Sequence, residues 1–525
     1  MAKAQLALIL HAHLPFVRHP EHEHFLEEEW FFEAISESYI PLLQLMQRLV
    51  NDDVPFKLTM SITPPLSAML QDELLRHRYL QHLELLIALA AREQKRNRKD
   101  ARLRELAGFY SALFSETQRF YVDECHCDLL AAFRQLRQAG VLEIIASAAT
   151  HGLLPLLVPQ TREAARAQVL IGRDEYVDLW GEEPRGFWLP ECAYAPKLDR
   201  ILQEANIRWF VLDAHGLLFG NPQPRRAIFA PCYTRAGPAA FARDRDSSRQ
   251  VWSAHEGYPG DPTYRDFYRD AGFDLPLEHL GPVAAGSRKF SGLKYHRITG
   301  HGLEKELYDR AAAQQTAETH ATHFVEQRRE QLRRLNQQSG DSIVAIPFDA
   351  ELFGHWWFEG PLFLERFIRK TASEQDNFCL TTPTEYLAAH PTQQIIEPAR
   401  STWGENGDLS VWINPANAWT YPHLHSAARR MAEVARRQAD EPSPLGDRVL
   451  KQLARELLLA QSSDWAFLMK TGTAREYATK RTVDHLGRFN RLHDQLIANQ
   501  IDEVFLRDCE WRHNLFPHVN WRYYI

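Results

Sequence analysis

Three short segments of this chain place carboxylic acids beside tryptophans: Gly186-Phe-Trp-Leu-Pro-Glu-Cys192, Pro347-Phe-Asp-Ala-Glu-Leu-Phe-Gly-His-Trp-Trp357 and Ser401-Thr-Trp-Gly-Glu-Asn-Gly407. Indole faces stack on the C–H faces of sugar rings, and acids handle a glycosidic oxygen. Such a bond breaks when one carboxyl protonates the leaving oxygen. In retaining enzymes a second carboxylate, about 5 to 5.5 Å away, attacks the anomeric carbon. Glu191 and Asp349, each just past an apolar run, meet that requirement, with Trp188 and Trp356-Trp357 as neighbouring rings. A lone acid would read as a loop or cap residue; the pairing with indoles points to catalysis.

His11-Ala-His13 also follows an apolar run, and here two readings compete. An H-x-H at a strand end, completed by His151, His355 and Asp349, resembles the ligand set of a metal hydrolase. Neutral imidazoles hydrogen-bonding sugar hydroxyls are the other reading. Trp403, Trp412 and Trp419 supply further aromatic surface with Asn and Asp between them, either as binding platforms or as packing at a domain junction. Ser462-Ser-Asp464-Trp465 reads as a helix N-cap, with Asp464 and Trp465 counted among the residues that reach the cleft. No glycine-rich run suited to phosphate follows a strand, and Gly-x-Ser-x-Gly is absent, which argues against nucleotide donors and serine nucleophiles of the elbow type.

The elements that must position these groups follow from periodicity. Apolar runs at Leu6–Leu10, Phe56–Ile62, Leu142–Ala146, Phe187–Leu189, Trp209–Leu212 and Ile343–Phe348 read as buried parallel strands. Helical stretches between them, such as Ser36–Val50, Gln71–Ala91, Arg102–Gln138 and Lys305–Gln338, favour an α/β barrel. Barrel enzymes carry their chemistry on the carboxyl ends of strands, where His11, His13, His151, Glu191, Asp213 and Asp349 fall. Residues 214–303, rich in Gly, Pro, Arg and aromatics, read as a long loop region over the site. Beyond about residue 391 the pattern is helical: Tyr421–Gln438, Asp447–Leu459, Ser463–Met469 and Thr473–Asn499. The expected division is a catalytic unit over 1–395 and a helical unit over 396–525.

The chain has 525 residues, 45% hydrophobic and 25% charged, enough for one large core and a smaller attached one. Lys plus Arg is 61 and Asp plus Glu is 68, a net charge of −7 that leaves no basic footprint for nucleic acid or anionic lipid. No apolar run approaches a membrane span, and the opening run to Leu10 reads as a strand rather than a signal peptide. Six scattered cysteines suggest a reducing, cytoplasmic setting. Cys125-His126-Cys127 is a weak metal signal, because a C-x-C on a helix points its side chains apart.

The segments His11-Ala-His-Leu-Pro15, Trp188-Leu-Pro-Glu-Cys192, Phe348-Asp-Ala-Glu-Leu-Phe-Gly-His-Trp-Trp357 and Trp403-Gly-Glu-Asn-Gly407 resemble, in order and over nearly the whole chain, the motifs of glycoside hydrolase family 57. Its 1,4-α-glucan branching enzymes are the most similar group. The resemblance implies an incomplete (β/α)7 barrel with a C-terminal helical domain, a retaining double displacement, no metal or organic cofactor, and α-1,4-glucan as donor and acceptor; nothing in the sequence requires more than a monomer. It implies Glu191 as nucleophile and Asp349 as general acid/base. Site histidines would be His11, His13 and His151, and cleft tryptophans Trp403 and Trp412. A mobile loop tipped by a tyrosine is matched to Cys232-Tyr-Thr-Arg-Ala-Gly237, giving Tyr233 the role of excluding water. Phe273 stands where some relatives carry tryptophan. A hydrolase or 4-α-glucanotransferase of the same family is the alternative activity.

Overall fold

A computed structural model describes residues 4–284, 286–300, 304–339, 342–375, 377–440 and 442–525. Residues 301–303, at the end of the expected loop region, lie outside the described residues. Nine strands form one sheet: β1 (Ala4–Ala12), β2 (Leu58–Ile62), β3 (Leu142–Ser147), β4 (Gly186–Trp188), β5 (Trp209–Leu212), β6 (Cys232–Tyr233), β7 (Ala239–Ala242), β8 (Ile343–Asp349) and β9 (Phe378–Leu380). The order β7-β5-β4-β3-β2-β1-β8 is parallel throughout, while β6 pairs antiparallel with β7 and β9 pairs with the start of β1. The sheet curls until Arg243, just after β7, bridges Ala345 of β8, and the Asp244 amide donates to the Ala345 carbonyl at 2.9 Å. Seven parallel strands thus make an incomplete barrel whose seam lies between β7 and β8.

Strand parity sorts the core into two layers. Ala7 and Ile9, Ile145, Trp209 and Val211, Ala239 and Phe241, and Ile343 and Ala345 fill the barrel interior. Their alternates, Leu6, Leu8, Leu10, Phe210, Leu212 and Val344 among them, face the surrounding helices. Because side chains alternate with period two, the next inward positions at the carboxyl ends are His11, Asp213, Arg243 and Asp349. The barrel's packing therefore aims those four groups at one mouth.

Six strands lie where periodicity expects them, within two residues at each end. The seventh barrel strand, β7, falls inside the region read as loop; Ala239-Ala-Phe-Ala242, four residues of which three are alanine, is too short to stand out from its Gly/Pro-rich surroundings. The long helix expected over Arg102–Gln138 is broken. A helix Ala101–Arg119 runs through a π-turn at Phe120–Glu124, and His126 and Cys127 take left-handed conformations before Leu129–Gln138. Cys125 and Cys127 thus sit in a turn, not on a helix. After β9 the chain is helical: Thr420–Arg437, Pro444–Ala460, Ser463–Thr471, Arg475–Ile497 and, unexpected from periodicity, Glu503–Arg512.

Candidate active site

Glu191 follows β4 in a single tight turn, Pro190–Cys192, and its backbone is left-handed at φ 61°. His151, after β3, is left-handed too, at φ 57°. Each costs on the order of 1–3 kcal/mol for a side chain with a Cβ, so surrounding contacts must hold it. Those contacts come from the chain beyond β9. The Trp403 amide donates to the Glu191 carbonyl at 3.1 Å, and the Ser463 amide to the His151 carbonyl at 3.0 Å. The segment after the barrel clamps both loops.

The same two residues hold the Glu191 carboxyl. Trp403 Nε1–H donates to Oε2 at 2.9 Å and Ser463 Oγ–H donates to Oε1 at 2.9 Å. Burial pushes the Glu191 pKa up; the Trp403 donor opposes this, the Asp464 charge adds to it, and Ser463 and His13 oppose it. Asp349 accepts no hydrogen bond from the described residues. Burial raises its pKa well above the carboxylate range, Glu351 and Glu191 raise it further, and Arg243 pulls it down. One carboxyl is thus fixed through both oxygens while the other accepts no donor and has its pKa raised further, the division of labour that a nucleophile and a proton donor need.

The three histidines form a stack beside this pair. The His11 and His151 ring centroids are 5.0 Å apart and those of His13 and His151 3.9 Å. His11 Nδ1 meets Ser61 Oγ at 2.5 Å and its Nε2 meets His151 Nε2 at 3.0 Å, while His151 Nδ1 meets Ser463 Oγ at 2.9 Å. A continuous hydrogen-bonded chain therefore runs from Ser61 to Glu191. Burial holds His11 and His151 well below the usual histidine range, with the His13 charge adding to the effect on both. His13 behaves oppositely. Burial alone would lower its pKa, but the Asp464 carboxylate, at 3.1 Å from Nε2, overrides this and raises it. Two neutral imidazoles thus surround one that pairs as a cation with Asp464.

The tryptophans divide by exposure. Trp188 is fully buried and stacks on His11 at 4.3 Å, so it supports that imidazole rather than offering a platform. Trp403 is half-buried, edge-on to Trp188 at 5.1 Å. Trp412 is buried against Leu153, Ala193 and Ala466, at the junction between the barrel and the helices. Trp465 is also buried, donating to the Leu459 carbonyl, with Tyr477 edge-on to its ring. Neither indole offers a free face, which corrects the expectation that both reach the cleft: a helix start and a junction loop were the only sequence clues, and both are equally compatible with packing. Trp356 is 46% exposed beyond β8. Phe273, equally exposed, joins it through a run of ring contacts, Phe273–Phe290–Phe267–His355–Trp356.

Tyr233 is not brought to the mouth. It lies in β6, paired with Ala239, which is level with Trp209 at the amino end of β5, and its hydroxyl donates to the Pro391 carbonyl at 3.1 Å. The catalytic ends lie about 10 Å away along the strands. The physical reason is that Cys232-Tyr233 and Ala239–Ala242 form a hairpin closed by a tight turn, so the matched loop is short and at the opposite end of the barrel. His355 is likewise turned away, its Nδ1 2.6 Å from Glu37.

Residues that the motifs did not single out complete the site. Ser61, Ser463 and Glu351 make contacts given above or, for Glu351, accept from the His13 amide and the Tyr39 hydroxyl. Arg243 pairs with Asp213 at 2.6 Å. Asp213 was already read at its strand end; parity along β2 and β7 would have found Ser61 and Arg243. Among the described residues, side chains of metal-ligating type gather at two places, His13–His151–Asp464 in the site and Glu456–His485–His513 within the helices. The first differs from the set expected for a metal hydrolase, since His355 is elsewhere and Asp464 takes its place.

Comparison with known proteins agrees with this architecture. The model for glycosyl hydrolase family 57 matches residues 7–399, and one described as 1,4-alpha-glucan branching enzyme, C-terminal, matches residues 423–524. The chain belongs to glycosyl hydrolase family 57. It is 35% identical to the 1,4-alpha-glucan branching enzyme of Thermococcus kodakarensis, over 98% of this chain and 78% of that protein. Its structure is similar to that of the alpha-amylase AmyC from Thermotoga maritima, with TM-score 0.92, 42% identity, and coverage of 100% of this chain and 99% of that one. It is also similar to the family 57 branching enzyme from Pyrococcus horikoshii, with TM-score 0.89, 35% identity, and coverage of 99% and 96%.

Proposed function

We propose that this protein is a 1,4-α-glucan branching enzyme that cleaves an α-1,4 linkage and transfers the released chain to a glucan 6-hydroxyl. The observation that carries the reading is the contrast between its two mouth carboxyls, Glu191 fixed by donors on both oxygens and Asp349 undonated with a raised pKa. Glu191 attacks the anomeric carbon as Asp349 protonates the departing glycosidic oxygen. Asp349, now ionised, then takes the proton of the acceptor hydroxyl as that oxygen displaces Glu191 with a second inversion. Water in place of the acceptor gives hydrolysis. The neutral His11 and His151, whose ring nitrogens bond Ser61, each other and Ser463, hold the Ser463 donor on Glu191, and the exposed Trp356 and half-buried Trp403 are suited to stacking.

The similarity to the alpha-amylase AmyC, together with the distance of Tyr233 from the mouth, favours hydrolysis as the second reading. Neither Trp412 nor Trp465 is assigned to substrate. We divide the chain near residue 396, with the helical unit supplying part of the site. No helix among the described residues is long and apolar enough to cross a membrane. A cytoplasmic monomer acting in glycogen-type synthesis, without a metal or organic cofactor, is the setting we propose. Incubation with amylose in EDTA, counting new α-1,6 linkages and new reducing ends, tests the reading, with Glu191→Gln and Asp349→Asn as controls. Many branches per reducing end support transfer; mainly reducing ends make the protein a hydrolase. Loss of activity in EDTA would return the His13–His151–Asp464 group to the role of metal site.

A further inference from the structure

Arg243 stands at the barrel seam. Its backbone forms the only bridge between β7 and β8 among the described residues, and parity turns its side chain inward. There the guanidinium is gripped from one side by Asp213 Oδ2 at 2.6 Å. Asp213 is itself fixed by His215, whose Nδ1 lies 2.8 Å from Oδ1 and whose Nε2–H donates to the Gly407 carbonyl at 2.8 Å. Gly407 ends the short turn that begins just after Trp403. The other side of Arg243 faces that same Trp403, with Cζ 5.7 Å from the ring centroid, and Trp403 is the donor to Glu191 Oε2. Gly407–His215–Asp213–Arg243–Trp403 is therefore a loop of contacts that closes on the nucleophile.

We propose that Arg243 is a positioning residue for the reaction, clamped by Asp213 so that it holds Trp403 on Glu191 and keeps one fixed positive charge beside Asp349. The inference rests on the roles of Glu191 and Asp349 given above. The charged and titratable groups around Asp349 are Glu191, Glu351, Arg243, Tyr39, Cys192 and, as its ladder partner, His11. Arg243 is the cation that acts on it. A positive charge facing the same mouth favours the ionised carboxyl. It thereby keeps Asp349, which its acidic neighbours push upward, able to give up its proton to the leaving oxygen and to take one back from the acceptor.

The test is the pH dependence of kcat/KM on amylose, whose alkaline limb reports loss of the proton from the general acid. Arg243→Gln removes the charge, so the limb moves to higher pH by about one unit. Arg243→Lys keeps the charge and leaves the limb in place, although kcat falls because an ammonium does not pack on Trp403 as a guanidinium does. Asp213→Asn unmasks the guanidinium charge and moves the limb the opposite way. A merely structural seam residue would lower thermal stability in all three and move no limb. If Arg243→Gln does not fold, Asp213→Asn decides alone, since an unmoved limb overturns the proposal. Wild-type protein inactive on amylose would instead remove the catalytic reading itself, which separates the two failures.

Discussion

Replacing Ser463 by alanine deletes one hydroxyl and nothing else of size, and it isolates what the helical segment does for the nucleophile. Ser463 is buried and donates to Glu191 Oε1 at 2.9 Å, one of the two side-chain donors to that carboxyl. A hydrogen bond to a charged acceptor contributes about 1.5–3 kcal/mol, and 1.36 kcal/mol is one pKa unit, so losing it raises the Glu191 pKa by about 1–2 units. The sign follows from ionisation: Glu191 attacks as the anion, activity falls as pH drops through its pKa, and a higher pKa moves that acid limb to higher pH. Below the limb this is a roughly 10- to 100-fold loss in kcat/KM, since rate there tracks the ionised fraction. On the plateau above it the change is far smaller. Initial rates on amylose across pH, with Ser463→Thr as the hydroxyl-retaining control, measure it. A wild-type acid limb in the alanine variant would refute the reasoning.

Glu456, buried among the helices, accepts from His485 at 2.7 Å and His513 at 2.6 Å; burial opposes its ionisation, but these partners hold its pKa far below the ordinary range, while burial lowers both histidines. The unfolded chain therefore binds more protons, and stability drops as pH falls, first below the ordinary histidine value of 6.5 and then below the carboxylate value of 4.5. Glu456→Gln weakens the hydrogen bonds made to a buried anion and should cost roughly 1.5–3 kcal/mol at neutral pH in urea denaturation, with the gap to wild type closing in acid. Gly354 has φ 113°, and a Cβ there would lie 1.7 Å from the Glu37 carbonyl oxygen, so Gly354→Ala should lose roughly 3 kcal/mol or more and a correspondingly large part of its melting temperature. Tyr233→Phe should leave the ratio of branching to hydrolysis within about twofold of wild type, because the ring lies at the amino end of the barrel; a collapse of branching would contradict that placement.

The strands that carry most of the chemistry were legible because burial on both faces forces continuous apolar runs, and the polar residue after each run is where the barrel opens. His11, Glu191 and Asp349 could be read this way, and the resemblance to a family sharpened their roles. Arg243 was not, because its strand is only four residues, three of them alanine, whose one signature is the inward parity of Ala239 and Phe241. Ser463 was hidden for a different reason. Its partners are 312 and 272 residues away in the chain, and a serine at a helix start already has an ordinary local explanation. Tyr233 shows the reverse error, a motif match whose short turn cannot span to the mouth. Trp412 and Trp465 were misplaced because indoles beside polar residues look alike in sequence whether they face solvent or fill a junction.

The clamp on Glu191 also sets a schedule. Trp403 and Ser463 are made more than two hundred residues after the carboxyl they hold, and His151 waits equally long for the Ser463 amide. A chain emerging from the ribosome can fold its strands as they appear, amino end first. Until the helix ending at Thr471 has emerged and docked, Glu191 lacks its Ser463 donor and the left-handed turn at His151 stands without its anchor. The order of synthesis thus separates the making of the nucleophile from the making of the donors that hold it.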